Sequence, residues 1–263
     1  MLLWSMDYWL MFLLGICLGS FLSVVLYRLR VGGSALKGRS VCDHCRKKIA
    51  WYDNLPLLSF LLLGGKCRRC RRPINPEYPL TELIIGIEFV WVYWLLKINF
   101  NFFNWIEGWY SFALLAYWLI LFSGAVAIAI YDFQHQLIPD QILLPLIVVA
   151  FLRLFVSQNW SVVPAAFGSM AFLGVLHLVT RGKGMGLGDV KLGFLLGLVL
   201  GWPQIMTAYF LAFLTGAIAG VILIVVKGKN LKSKIAFGPF LILGMIIAKL
   251  WGWPIWQGYL KWF

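Results

Sequence analysis

Charge is what this chain has least of. Charged residues make up 13% of its 263 positions against 62% hydrophobic, and the mean hydropathy is +0.85. Soluble proteins run at about 25% charged and about 45–50% apolar, so a fold made only of water-soluble domains is excluded. Acidic residues are the scarcest charge, ten against 23 Lys and Arg. No low-complexity segment and no persuasive internal repeat is visible. A cleavage site of small residues is also missing. The first apolar run, about Tyr8 to Leu26, passes straight into Tyr27-Arg28-Leu29-Arg30 and reads as a permanent membrane span rather than a cleaved signal.

What is abundant is apolar length. Crossing about 30 Å of hydrocarbon takes about 20 helical residues. Eight segments are expected to do so, at about 8–28, 79–98, 109–131, 141–157, 162–180, 189–203, 205–227 and 236–257. The fold expected is an all-α polytopic membrane protein of about eight transmembrane helices. Its expected divisions are 1–28, the first helix; 29–78, a small cytoplasmic module between helices one and two; and 79–263, the remaining bundle. Tryptophans near one set of ends (Trp94, Trp105, Trp109, Trp202, Trp251, Trp253, Trp256) fit an interfacial belt.

The formal charge of +13 suggests nucleic acid until its distribution is considered. Twelve of the 23 basic residues lie from Arg28 to Arg72. Arg181, Lys183 and Lys191 flank a glycine-rich stretch, and Lys227, Lys229, Lys232 and Lys234 form another cluster. With the N-terminus outside, eight spans place all of these on the cytoplasmic face, leaving Lys97, Arg153, Lys249 and Lys261 for the other. The surplus is therefore topological, with some attraction to anionic lipid, and nucleic acid is not expected as a partner.

Five cysteines occur. Cys17 stands alone in the first span, where packing or lipid contact explains it. The other four form Cys42-Asp43-His44-Cys45 and, 21 residues on, Cys67-Arg68-Arg69-Cys70. Paired C-x2-C knuckles at this separation suit a tetrahedral structural zinc site. A reducing cytoplasm makes disulfides the weaker reading. His44 is read as a non-ligand, because the four sulfurs already complete the set.

Two aspartates sit where a membrane chain avoids them. Asp132 ends the third apolar run, and Asp189 closes Gly184-Met185-Gly186-Leu187-Gly188-Asp189 and opens the sixth. An ionisable group at membrane depth costs roughly 2.5–3.5 kcal/mol on insertion scales and marks a functional site by default. The charge rule, applied without them, puts both on the cytoplasmic side. Two carboxyls at one depth suggest a shared proton and acid/base work on a peptide bond. Asp189 at a helix start is expected to be mainly ionised and Asp132 at a helix end mainly protonated. Gly184, Gly186 and Gly188 permit positive φ and close backbone approach, as a loop receiving an extended peptide needs. Asp140, after Pro139, reads as a helix cap, and His135 as a polar loop residue.

Gly186-Leu187-Gly188-Asp189-Val190-Lys191-Leu192 with Asp132 upstream resembles the prepilin peptidases, or type IV leader peptidases. Further matches run in order along the chain: Gly19 to Leu29, both knuckles, Leu55 to Ser59, Tyr78 to Leu83, and Phe237 to Phe240. Ser23, Asp43 and Ala236 depart from the usual Asn, Pro and Pro. The resemblance implies removal of the short basic leader of type IV pilin-like precursors, after a Gly at the cytoplasmic membrane face. It implies Asp132 and Asp189 as the catalytic pair and Cys42, Cys45, Cys67 and Cys70 as Zn2+ ligands in an inner-membrane protein. Relatives with the cysteine module commonly also methylate the new N-terminus from S-adenosyl-L-methionine. No residues for that step are assigned beyond Glu82 as a weak candidate, and Glu88 has no expected role. The competing readings are another Gly-x-Gly-Asp intramembrane protease and a proton-coupled transporter with a zinc-stabilised domain. Neither uses all the matched segments.

Overall fold

A computed structural model describes residues 2–32, 38–97, 105–227 and 236–260. Among these residues there are nine α-helices, one 3-10 turn (Trp51–Asn54) and two isolated β-bridges, with no strand. The helices are α1 (Leu2–Arg30), α2 (Leu58–Leu62), α3 (Glu77–Lys97), α4 (Trp105–His135), α5 (Asp140–Ser157), α6 (Val162–Val179), α7 (Leu187–Leu200), α8 (Gln204–Lys227) and α9 (Gly238–Leu260). Lys229, Lys232, Lys234 and Lys261, used above for orientation, lie outside the described residues.

Among the described residues, seven helices are long and apolar enough to cross a membrane: all but α2 and α7. The segment expected as the sixth span, 189–203, is α7, whose 14 residues cover about 21 Å. Its shortness has a packing cause. Ten of its residues are buried, from Asp189 and Val190 to Leu200, and it contacts α5, α6, α8 and α9. A helix with this much of its surface against other helices is screened from lipid, so its length need not match the bilayer.

The chain divides into two compact units, Met1–Ser123 and Gly124–Phe263. In the first, α1 packs along α3. The closest approach explains Gly19, because a Cβ there would lie 2.7 Å from Glu82 Cα. Cys17 is exposed on α1, in keeping with a lipid-facing position. In the second, α6 pairs with α7 and α8 with α9. Ser169 on α6 donates to the Gly193 carbonyl on α7 at 2.5 Å and is hydrogen-bonded to the Tyr209 hydroxyl on α8. Three apolar helices are thus tied by one buried polar cluster.

The cysteine module holds a repeat that the residue pattern had hidden. Cys42 N–H donates to Lys47 O at 3.0 Å and Cys67 N–H to Arg72 O at 2.9 Å. Arg46 N–H donates to Cys42 O and Arg71 N–H to Cys67 O, both at 2.9 Å. Arg46 and Arg71 both turn the chain with positive φ, 57° and 58°, and a β-bridge closes each loop, Val41 to Lys48 and Lys66 to Pro73. The two knuckles are one local structure used twice. Backbone hydrogen bonds set it, so the residues between the sulfurs are free to differ.

Candidate active site and metal centre

Asp132 and Asp189 both fall in the second unit and are almost fully buried, 4% and 8% exposed. Asp189 is the third residue of α7, and its Oδ2 accepts the N–H of the N-cap residue Gly186 at 3.0 Å. That is the return half of a capping box, in which a third-position carboxylate satisfies an otherwise orphaned N-terminal donor. Asp132 lies in the last turn of α4. Its Oδ2 accepts the N–H of Gly238, the first residue of α9, at 2.9 Å. The two carboxyl groups thus sit where the end of α4 meets the start of α9, which in turn contacts α7.

Two contacts hold the α4–α5 corner against the start of α7. A Cβ on Gly188 would lie 2.9 Å from Ile138 Cβ, so only glycine lets the corner approach so closely. Lys191 Nζ reaches Asp140 Oδ2 at 2.7 Å and Oδ1 at 2.9 Å. The end of α4 and the starts of α5, α7 and α9 therefore share one level of this unit.

Several expectations change at this level. Asp140 is not a cap: Pro139 holds the cap position without a side-chain bond, and Asp140, inside the first turn, pairs with Lys191 instead. Positive φ is absent at Gly184, Gly186 and Gly188 and occurs at Arg181 and Gly182. Gly186 is extended, with φ −79° and ψ 157°. The helix-end contrast between the two acids also weakens. The negative end of α4 is offset at Asp132 by the positive N-terminus of α9, so both carboxyls sit at a helix start. His135 closes α4 with its ring edge-on to Tyr131, centroids 4.6 Å apart. A contributor absent from the sequence expectations is His177, at the end of α6, whose Nδ1 lies 2.7 Å from the Met185 carbonyl.

In the first unit, the Sγ atoms of Cys42, Cys45, Cys67 and Cys70 all lie within 4.8 Å of one another, with Cys42 and Cys70 3.9 Å apart. Tetrahedral Zn–S bonds of about 2.3 Å place sulfurs about 3.8 Å apart, so the set fits a four-coordinate metal. The N–H of Cys70 draws the Cys67 thiol down to about 7, and burial pushes the Cys42 thiol up to about 11. His44 is exposed and outside the cluster. Glu82, 8% exposed on α3, accepts the Leu57 N–H at 2.8 Å and so ties the module to the helices. It also borders a cavity of about 480 Å³ that reaches Tyr27, Arg28, Tyr52, Asp53 and Tyr78. Glu88, deeper in α3, is buried with no hydrogen bond to either carboxyl oxygen among the described residues.

Together these features define a polytopic helical membrane protein with a buried carboxyl pair in one unit and a four-cysteine metal-type cage in the other. The chain belongs to the type IV leader peptidase family. Residues 119–221 match the model of that family, and residues 13–96 match the Bacterial Peptidase A24 N-terminal domain. It is 33% identical to a prepilin leader peptidase/N-methyltransferase of Pseudomonas aeruginosa, over 95% of this chain and 92% of that protein. It is 34% identical to one of Aeromonas hydrophila (95% and 93%) and 29% to one of Legionella pneumophila (93% and 92%). No solved structure matches the chain.

Proposed function

We propose that the chain is a membrane aspartyl endopeptidase that removes the leader of type IV pilin-like precursors after a Gly at the cytoplasmic membrane face, and that it also N-methylates the new N-terminus. The carboxyl pair carries the reading. Asp132 and Asp189 are buried on two helices at one level, each steadied through one oxygen by a main-chain N–H. Neighbouring carboxyls resist double ionisation, so the pair works with one proton between them. The ionised member takes a proton from water as the water oxygen adds to the scissile carbonyl carbon. The protonated member gives its proton to the departing amide nitrogen. Gly184, Gly186 and Gly188 form the edge along which the unwound leader junction lies, because a helical peptide bond is screened by its own backbone.

The remaining assignments have separate supports. Zinc suits the four-thiolate set and serves as a structural clamp on the module. For methylation, S-adenosyl-L-methionine supplies an activated methyl group. The cavity beside Glu82 is lined in part by Cys42, Cys45 and Cys67 of the metal cage, and its remaining wall offers the methyl donor Tyr27 and Tyr52 as ring surfaces and Glu82 as an acceptor for ammonium or hydroxyl groups. The basic segment from Arg28 to Arg72 supports an inner-membrane orientation with the N-terminus outside and the carboxyl pair on the cytoplasmic side. Mass spectrometry of a pilin-like precursor, incubated with the enzyme with and without S-adenosylmethionine, tests the reading. Cleavage after Gly is expected in both, a single added methyl only with the donor, and no cleavage with Asp132→Asn or Asp189→Asn. Full cleavage by either variant would sink the pair.

A further inference from the structure

We infer that His177 is a positioning residue for Asp189, acting through the single peptide group between Met185 and Gly186; the inference rests on the proposed role of Asp189. A carbonyl oxygen can only accept, so the 2.7 Å contact from His177 to Met185 O requires a proton on Nδ1. The N–H of that same peptide group belongs to Gly186, and it donates to Asp189 Oδ2 at 3.0 Å. One rigid plane is therefore gripped at its oxygen by the imidazole and at its nitrogen by the carboxyl. Peptide planarity makes the two contacts interdependent: rotating the plane to break one breaks the other. Donation into the carbonyl also polarises the group and strengthens its N–H as a donor.

Ordinary helix capping does not account for the ring. The end of α6 is closed by main-chain bonds, Thr180 N–H to Leu176 O at 3.0 Å and Gly182 N–H to His177 O at 2.9 Å. The imidazole reaches past that end into the loop. The loop turns around it at Gly182, with φ 71°, where a Cβ would lie 3.2 Å from the imidazole Cε1. Met185 is buried behind the contact.

The test uses the full-length enzyme and compares His177→Asn, His177→Gln and His177→Leu in precursor cleavage. The Asn amide places a donor near the Nδ1 position, the Gln amide carries it farther out, and Leu removes it. The expected result is kcat within about threefold of wild type for His177→Asn. For His177→Gln and His177→Leu, kcat should fall roughly 10- to 100-fold with KM within about twofold, as expected for displaced catalytic geometry. Equal loss in the Asn and Gln variants, or loss confined to KM, overturns the inference. So does wild-type kcat in the Leu variant. Should His177→Leu fail to fold, the contrast between Asn and Gln decides alone. Asp189→Asn in the same assay separates the two readings: if it cleaves normally, the carboxyl-pair mechanism fails whatever His177 does.

Discussion

Gly238→Ala isolates the third element at the carboxyl pair. A Cβ there would lie 2.7 Å from Asp132 Oδ2 and 3.2 Å from its Cγ, about 0.7 Å inside the 3.4 Å at which ordinary contact begins. The atom that must yield is the end of a side chain, so the fold gives way cheaply by moving the carboxyl. Gly→Ala at a helix start otherwise stabilises by up to about 1 kcal/mol, which offsets part of the clash. In the proposed mechanism function has no such escape, because the displaced oxygen belongs to one of the two groups assigned there to water and substrate. Misplacement by about 1 Å costs about a hundredfold. A shift of this size predicts a 30- to 100-fold loss of kcat, about 2–2.7 kcal/mol at the transition state. Detergent-purified enzyme and a pilin-like precursor give kcat, and a thermal melt of the same sample reports the fold. Wild-type kcat in a folded Gly238→Ala protein would refute the claim that the α9 start sets Asp132. A collapse in melting temperature would show that the carboxyl cannot move cheaply.

Three further outcomes follow from the same geometry. Gly186→Val should fold, because residue 186 is extended and its Cβ has room at 3.4 Å from Asp189 Oδ2, yet its methyls should crowd the loop edge and slow cleavage at least tenfold; undiminished turnover would remove that edge from substrate binding. Asp140→Asn breaks an ion pair whose side chains are 43% and 47% exposed, and such pairs are worth roughly 0–1 kcal/mol. Its melting temperature should move by about 2 °C or less and cleavage by less than threefold, whereas a tenfold loss of kcat would give Asp140 a direct part in the chemistry. Stripping metal with a chelator should expose the segment from about 38 to 76 to protease, since a thiolate cage without its ion loses its fold. Metal analysis should find about one ion per chain beforehand, and unchanged protease resistance in the stripped protein would refute a structural metal.

The readable parts were those fixed by short-range rules. Run length announced the long helices. The spacing of Cys42, Cys45, Cys67 and Cys70 announced the cage, because each C-x2-C turn presents both its sulfurs without help from distant residues. Counting spans against basic clusters put Asp132 and Asp189 on one face before any contact was known. The likeness of the two knuckles beyond their shared spacing lies in main-chain hydrogen bonds and in the positive φ of Arg46 and Arg71, a residue type that does not announce such a turn. Asp140 misled for a related reason: an acid beside a helix start looks like a cap until a lysine from another helix takes it.

The linear order of residues determined the class of protein, its helical bundle, the cysteine cage and the identity of the two acids. Those features depend on apolar length, local turns and the cost of charge at membrane depth, all of which act over a few residues or a single span. Tertiary structure alone decided that Gly238 donates to Asp132 across 106 positions, that α7 is a short enclosed helix, and that His177 grips the peptide holding Asp189. Each depends on which helices pack side by side. That choice is made by the close fit of many side chains at once, and no local pattern encodes it.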